Sequence, residues 1–188
     1  MSIRNIRQAP QPGGRLPYQL HWLAIVVAAA VLAALGVVAV ARASGNDEIA
    51  SIRSATSAFH HPETAQAQGW DLRPGLDNCF DKPGTGGMGF HLINLEELGK
   101  LSEDPLRPEA LVYAPGPNGQ LQLVAVEYVV PAAPWDAAGN TEPPSLLGQS
   151  FHLDPDLGVY ELHAWIYKAN PLGLFKDFNP NVALCSAS

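Results

Sequence analysis

The sequence predicts an α+β domain carried behind an N-terminal membrane helix. Three observations carry that reading. Trp22–Ala41 is a run of twenty residues without a charge. At about 1.5 Å per residue, a helix of that length matches the roughly 30 Å hydrocarbon core of a bilayer. Helical periodicity then reappears chiefly between residues 46 and 69. From Met88 onward, short runs of alternating apolar residues are separated by turns rich in proline and glycine, at 17 each in the chain. That is the pattern of an antiparallel sheet with long Pro/Gly loops, expected as a small barrel or sandwich with the helical arm over one face.

Arg4, Arg7 and Arg15 precede the apolar run, with no acidic residue among them. The positive-inside bias places residues 1–21, a tail punctuated by proline and glycine, in the cytoplasm, and residues 44–188 outside. The run over 22–41 is expected to be a single-pass signal anchor in the cell membrane, because a cleavable apolar segment is usually only about 7–15 residues long. The competing reading is cleavage after Ala43, at the small-x-small pattern Ala41-Arg42-Ala43, which would give a secreted domain.

All 18 acidic residues lie beyond position 46, against seven of the 11 basic ones, so the exported part carries a net charge of −11. This argues against nucleic acid or anionic lipid as a partner of the domain. A length of about 145 residues suffices for one core and is short for two ordinary domains. Outside the cytoplasm, Cys79 and Cys185 are expected to form a disulfide. It would close a loop of about 100 residues, worth up to roughly 4–5 kcal/mol in the chain-entropy model.

The elements follow in order. Asn46, Asp47 and Glu48 suit a helix N-terminus. Ile49, Ile52, Ala55 and Phe59 then recur at helical spacing. Pro62 opens a second short helix that stops near Gly69, and Trp70 anchors this arm to the core. His60 and His61, beside Pro62, read as a solvated turn. Residues 71–87 read as loop. The TGGMG stretch within it lacks the Lys-Ser/Thr ending of a phosphate loop. Strands are expected at 88–94, 109–114, 120–130 and 159–167. A helical turn is expected at 95–101, and a short edge strand at 150–153. Asn118-Gly119 supplies a hairpin turn between the second and third main strands. Along 120–130, alternation groups Leu121, Leu123, Ala125, Glu127 and Val129 on one face. Along 159–167 it groups Glu161, His163, Trp165 and Tyr167. Residues 132–149, with Trp135, and the tail from Lys168 read as loop. Arg107 and Glu109 are expected to pair across Pro108.

GGMGFHLIN, DPLRPEALVYAPGPNG, VAVEYVVP and HAWIYKANPLGLFKDFNP occur in this order. Together they resemble the motifs of a family of exported or membrane-anchored bacterial proteins without an assigned activity. The resemblance covers most of residues 55–185. It departs from the family pattern at Tyr167 and Phe178, where tryptophan is commoner, and at a slight lengthening over Ala183-Leu184. It implies a location outside the cytoplasm and a disulfide, and it implies no activity.

One constellation points to chemistry. Glu127 is the only charge in an apolar strand, and His91 and His163 also lie mid-strand. A buried carboxylate is costly unless paired. Two histidines and a carboxylate on neighbouring strands can hold a divalent transition metal with positions left open, with His152 and Glu109 as further candidate ligands. The spacing is 36 residues each way, so nothing local brings the three together. The competing reading is a hydrogen-bonded His–Glu pair that holds the sheet, or residues on its solvated face. The aromatic, polar face of 159–167 can also take a small ligand. No G-x-S-x-G context exists for a serine hydrolase. Three functions fit these residues: a metal- or ligand-binding domain, an enzyme using the same residues on a small substrate, and an adhesive envelope domain. The last would make contact through the loops around Trp135 and Phe175, and it predicts an exposed apolar patch and no pocket.

Overall fold

A computed structural model describes residues 45–73, 79–101 and 103–185. The expected cytoplasmic tail, the expected membrane span over 22–41 and the cleavage pattern at 41–43 lie outside the described residues. Among the described residues, no helix is long and apolar enough to cross a membrane.

The helical arm is built as its periodicity predicts. Residues 45–56 (α1) are helical. A 3-10 turn, Ser57–His60, follows. Pro62 then starts α2 (Pro62–Gln66) at a position where its missing N–H costs nothing. Gly69 turns the chain at φ +98° into β1 (Trp70–Asp71). The Trp70 indole donates to the Pro108 carbonyl, which fixes the arm to the sheet.

Seven strands form one antiparallel sheet: β1, then β2 (Cys79–Lys82), β3 (Gly86–Asn94), β4 (Ala110–Pro115), β5 (Leu121–Pro131), β8 (His152–Asp154) and β9 (Val159–Ala164). The spatial order is β1-β3-β4-β5-β9-β8, with β2 also paired to β3. The sheet is open, with β8 at one edge, so the barrel expectation is corrected to a single-layer sheet covered by helices. Its helix-side face packs Ile52, Phe59, Ala65 and Trp70 against Leu111, Tyr113, Val126, Tyr128 and Leu162. The opposite face holds a smaller cluster of Val112, Val124, Ala125 and Trp165, closed by Val182 from the C-terminal tail.

Three further expectations are corrected. Residues 79–82 are strand rather than loop, paired along β3. The stretch 132–149 is not all loop. It contains α4 (Ala132–Ala137) and a small hairpin of β6 (Ser145–Leu146) and β7 (Gln149–Ser150). Arg107 pairs with Glu97 of α3 (Leu95–Leu98), not with Glu109.

The register of β5 also departs from simple alternation. Val112 faces Ala125 while the next residue, Tyr113, faces Leu123, so Val124 is an extra, bulged residue. A bulge shifts alternation by one. Leu121 and Leu123 therefore pack with the helix-side core, while Ala125 lies in the cluster on the opposite face.

Gly86 and Gly87 of TGGMG make room for the tail. A Cβ on Gly87 would lie 2.4 Å from the Ala183 carbonyl oxygen, closer than van der Waals contact allows. The tail pairs there in strand-like fashion: Gly87 donates to Val182 at 3.1 Å and accepts from Asn179 at 3.0 Å. Cys79 and Cys185 form the expected disulfide, with Cα atoms 5.6 Å apart. Every candidate ligand lies in the chain between these two cysteines.

Candidate metal centre

His91, Glu127 and His163 come from three strands of the non-helical face. In the ladder, His91 faces Val112, Ala110 faces Glu127, and Glu127 faces His163. β4 thus runs between His91 and Glu127, which places their strands roughly 9–10 Å apart. Two long side chains can meet across that gap because the residue on β4 beside Glu127 is Ala110, which is fully buried.

They do meet. His91 Nε2 lies 3.4 Å from Glu127 Oε2, and His163 Nδ1 lies 3.6 Å from Glu127 Oε1. One donor atom from each of the three falls within 4.8 Å of the others. All three residues are buried, at 4%, 6% and 1% exposure in chain order. Aromatic rings hold the imidazoles from outside. Phe80 sits edge-on to His91 with centroids 5.3 Å apart, and Trp165 packs on His163 at 4.5 Å.

The polar balance of this group is incomplete. None of the four ring nitrogens of His91 and His163 has a hydrogen bond of ordinary geometry. Buried polar atoms nearly always find partners, and an unmade bond costs about 1–3 kcal/mol. Burial lowers the pKa of His91, and His163 nearby lowers it further, against the pull of Glu127. A neutral imidazole is the form that binds a metal. Burial opposes ionisation of Glu127, but the two histidines outweigh it and hold its carboxyl below the usual range. The group can therefore hold a metal ion. For zinc bonds of about 2.0–2.1 Å, the edge of a tetrahedral donor set is about 3.3–3.4 Å. The separations of 3.4 and 3.6 Å run to the two different oxygens of Glu127, and one donor atom from each residue falls within 4.8 Å of the others, so closing on an ion would draw the donors inward.

Comparison with protein-family models, with curated proteins and with solved structures finds no match for this chain. The site therefore has to be read from its own geometry.

His91 and Glu127 form part of the wall of a cavity of about 390 Å³, and His163 lies behind them. The remaining wall is mostly apolar, from Met88, Ile93, Val129, Leu153 and Phe178 among others. His152 and Glu161 stand farther along it, hydrogen-bonded at 2.9 Å, with Asp177 at 3.8 Å from the same His152 nitrogen. Glu161 is pushed up to about 9 by burial, then by the neighbouring Glu127, Asp154 and Asp177. His152 is thus a cavity residue outside the three-residue group. Glu109 is not brought to the site. Its Oε2 accepts the Val129 N–H at 3.0 Å, and burial pushes its carboxyl up to about 7 against that bond. Tyr167 also lies elsewhere, with its hydroxyl bonded to Arg53 and Thr56 of α1.

Sequence reasoning missed the acidic residues of the cavity, Asp154, Asp156 and Asp177. The first two belong to the turn Asp154-Pro155-Asp156-Leu157-Gly158 between β8 and β9. Recognising that turn as a hairpin would have placed them beside Glu161. Asp177 comes from the tail, where no local pattern marks it.

Proposed function

We propose that this chain binds one divalent first-row transition-metal ion, zinc above all, through His91, Glu127 and His163, in a domain tethered outside the cytoplasm by residues 22–41. The observation that carries the metal reading is the unpartnered state of four buried imidazole nitrogens around one buried carboxylate. A hydrogen-bonded structural group would close those contacts to ordinary hydrogen-bond geometry, whereas here His91 and His163 stand 3.4 and 3.6 Å from the carboxylate. Three protein donors leave a further coordination position, and two of the three residues, His91 and Glu127, line the cavity. Bound there, the ion would supply Lewis acidity to whatever occupies the cavity. The disulfide supports the location, since such bonds persist in oxidising compartments.

Metal analysis of the protein purified without a histidine tag tests the first part. One zinc ion per chain is expected, falling to none in His91→Ala and His163→Ala. No uptake of zinc, copper or iron by the wild type sinks the metal reading. Alkaline phosphatase joined to the C-terminus tests the second part: it should be active, and a reporter that works only in the cytoplasm should be silent.

A second reading, metal-dependent catalysis on a small molecule, is favoured by the cavity. Its volume is in the range of sites that take small ligands, about 300–1,000 Å³. Turnover lost in step with the metal across His91 and His163 variants would establish it. The adhesive alternative expects no pocket, and the cavity counts against it.

A further inference from the structure

The cavity wall carries charge of one sign. Besides Glu127 it presents Asp81, Asp154, Asp156 and Asp177, and among the described residues no lysine or arginine lines it. The Lys82 ammonium lies 5.8 Å from the centre of the Phe178 ring, and Lys82 is not part of the wall. Several of these carboxylates have structural work. Asp154 Oδ1 accepts the N–H groups of Asp156 and Leu157 and closes the turn. Asp81 Oδ2 accepts the N–H of Cys185, and Glu161 holds His152. Asp156 is exposed at the turn, and Asp177 approaches His152 only at 3.8 Å.

An acidic lining alone does not make a site. Here the same cavity is lined by His91, which is 4% exposed and has no hydrogen bond of ordinary geometry on either ring nitrogen. Resting on the metal reading above, we infer that the cavity selects by charge what reaches the metal's open position: it admits small neutral or cationic ligands and refuses anions. An anion entering this cavity passes several carboxylates, partly exposed at the mouth and buried at Glu127, and is repelled by each. A neutral ligand meets apolar wall. The class of molecule acted on or held there is thus an uncharged or amine-bearing compound, without a phosphate or carboxylate at the end that approaches the metal.

Cobalt(II) in place of zinc makes the open position visible, because its absorption spectrum changes when an outside ligand binds. The full-length chain in detergent, loaded with cobalt, is titrated with azide as the anionic probe and imidazole as the neutral one. Asp156→Asn combined with Asp177→Asn should tighten azide binding about tenfold and change imidazole binding less than twofold. Raising the salt concentration should tighten azide binding to the wild type. Glu142→Gln removes one exposed charge outside the cavity wall and should change neither titration. Unchanged azide affinity in the double variant overturns the inference, as does a parallel rise in imidazole affinity. Failure to take up cobalt at all overturns the metal reading and this inference with it, so the two failures are told apart.

Discussion

Removing the Cys79–Cys185 bond is expected to cost up to about 4.8 kcal/mol and still leave a folded domain. The cysteines are 106 residues apart. In the chain-entropy model, closing a loop of that size removes about 16 cal/mol/K from the unfolded chain, or about 4.8 kcal/mol at 25 °C. The native state should change little, because the tail has other holds. Asn179 pairs with Gly87, Val182 packs against the sheet at 4% exposure, and the Asn179 side chain is fully buried. The loss therefore falls on the unfolded side of the balance. The assay is urea unfolding of the oxidised protein and of the Cys79→Ser/Cys185→Ser variant, followed by near-ultraviolet circular dichroism. With a slope of about 1.5 kcal/mol per molar urea, the midpoint should fall by roughly 3 M. A fall below about 0.5 M would refute the entropic argument. Loss of the native spectrum without urea would refute the second half, and would show that the bond alone holds the tail.

Three more expectations follow from the packing. Gly87→Ala places a methyl group against the Ala183 carbonyl and Val182; it should lower stability by about 1–3 kcal/mol and raise amide exchange at Val182. Glu127→Ala should cost about 1–3 kcal/mol in zinc-loaded protein and much less after chelation, by paired thermal melts; equal losses would mean a structural role only. Glu109 titrates near 7 when folded and near 4.5 when unfolded, so the folded state binds the extra proton. Its contribution is full below about pH 4.5, falls as pH rises through 7, and amounts to about 3 kcal/mol. Glu109→Gln should flatten stability over that window and leave the variant more stable than wild type at pH 8.

Much of this architecture was legible because alternation survives where a strand has one wet or special face. The runs at 88–94, 109–114 and 120–130 declared themselves that way, as did 159–164 of the expected 159–167, where the strand stops at Ala164, and the lone charge of Glu127 in an apolar strand marked the candidate site. The meeting with His91 and His163 was not legible. It depends on the strand order β3-β4-β5-β9 and on the small side chain of Ala110, neither of which leaves a local trace. The bulge at Val124 was hidden for a similar reason. Val124 and Ala125 are both apolar, so the sequence alternates the same way with or without an extra residue. Strand β2 was read as loop because its partner edge on β3 is made of glycines that fit the tail. Arg107 found Glu97 rather than Glu109 because Glu109 is committed to the Val129 N–H.

The position of the disulfide also decides how this domain would carry a mechanical load. Residues 45–73 lie outside the covalent ring that the bond closes, and all three metal-site side chains lie inside it. A pull from the N-terminal side would first have to peel the helical arm from the sheet. It would break the Trp70–Pro108 bond, the Tyr113–Phe59 bond and the seat of Ile52 before tension arrived at Cys79. Beyond that point the disulfide joins both ends of the ring. Stretching can then lengthen the chain only by its outer arm, while His91, Glu127 and His163 stay in a segment whose ends cannot be drawn apart.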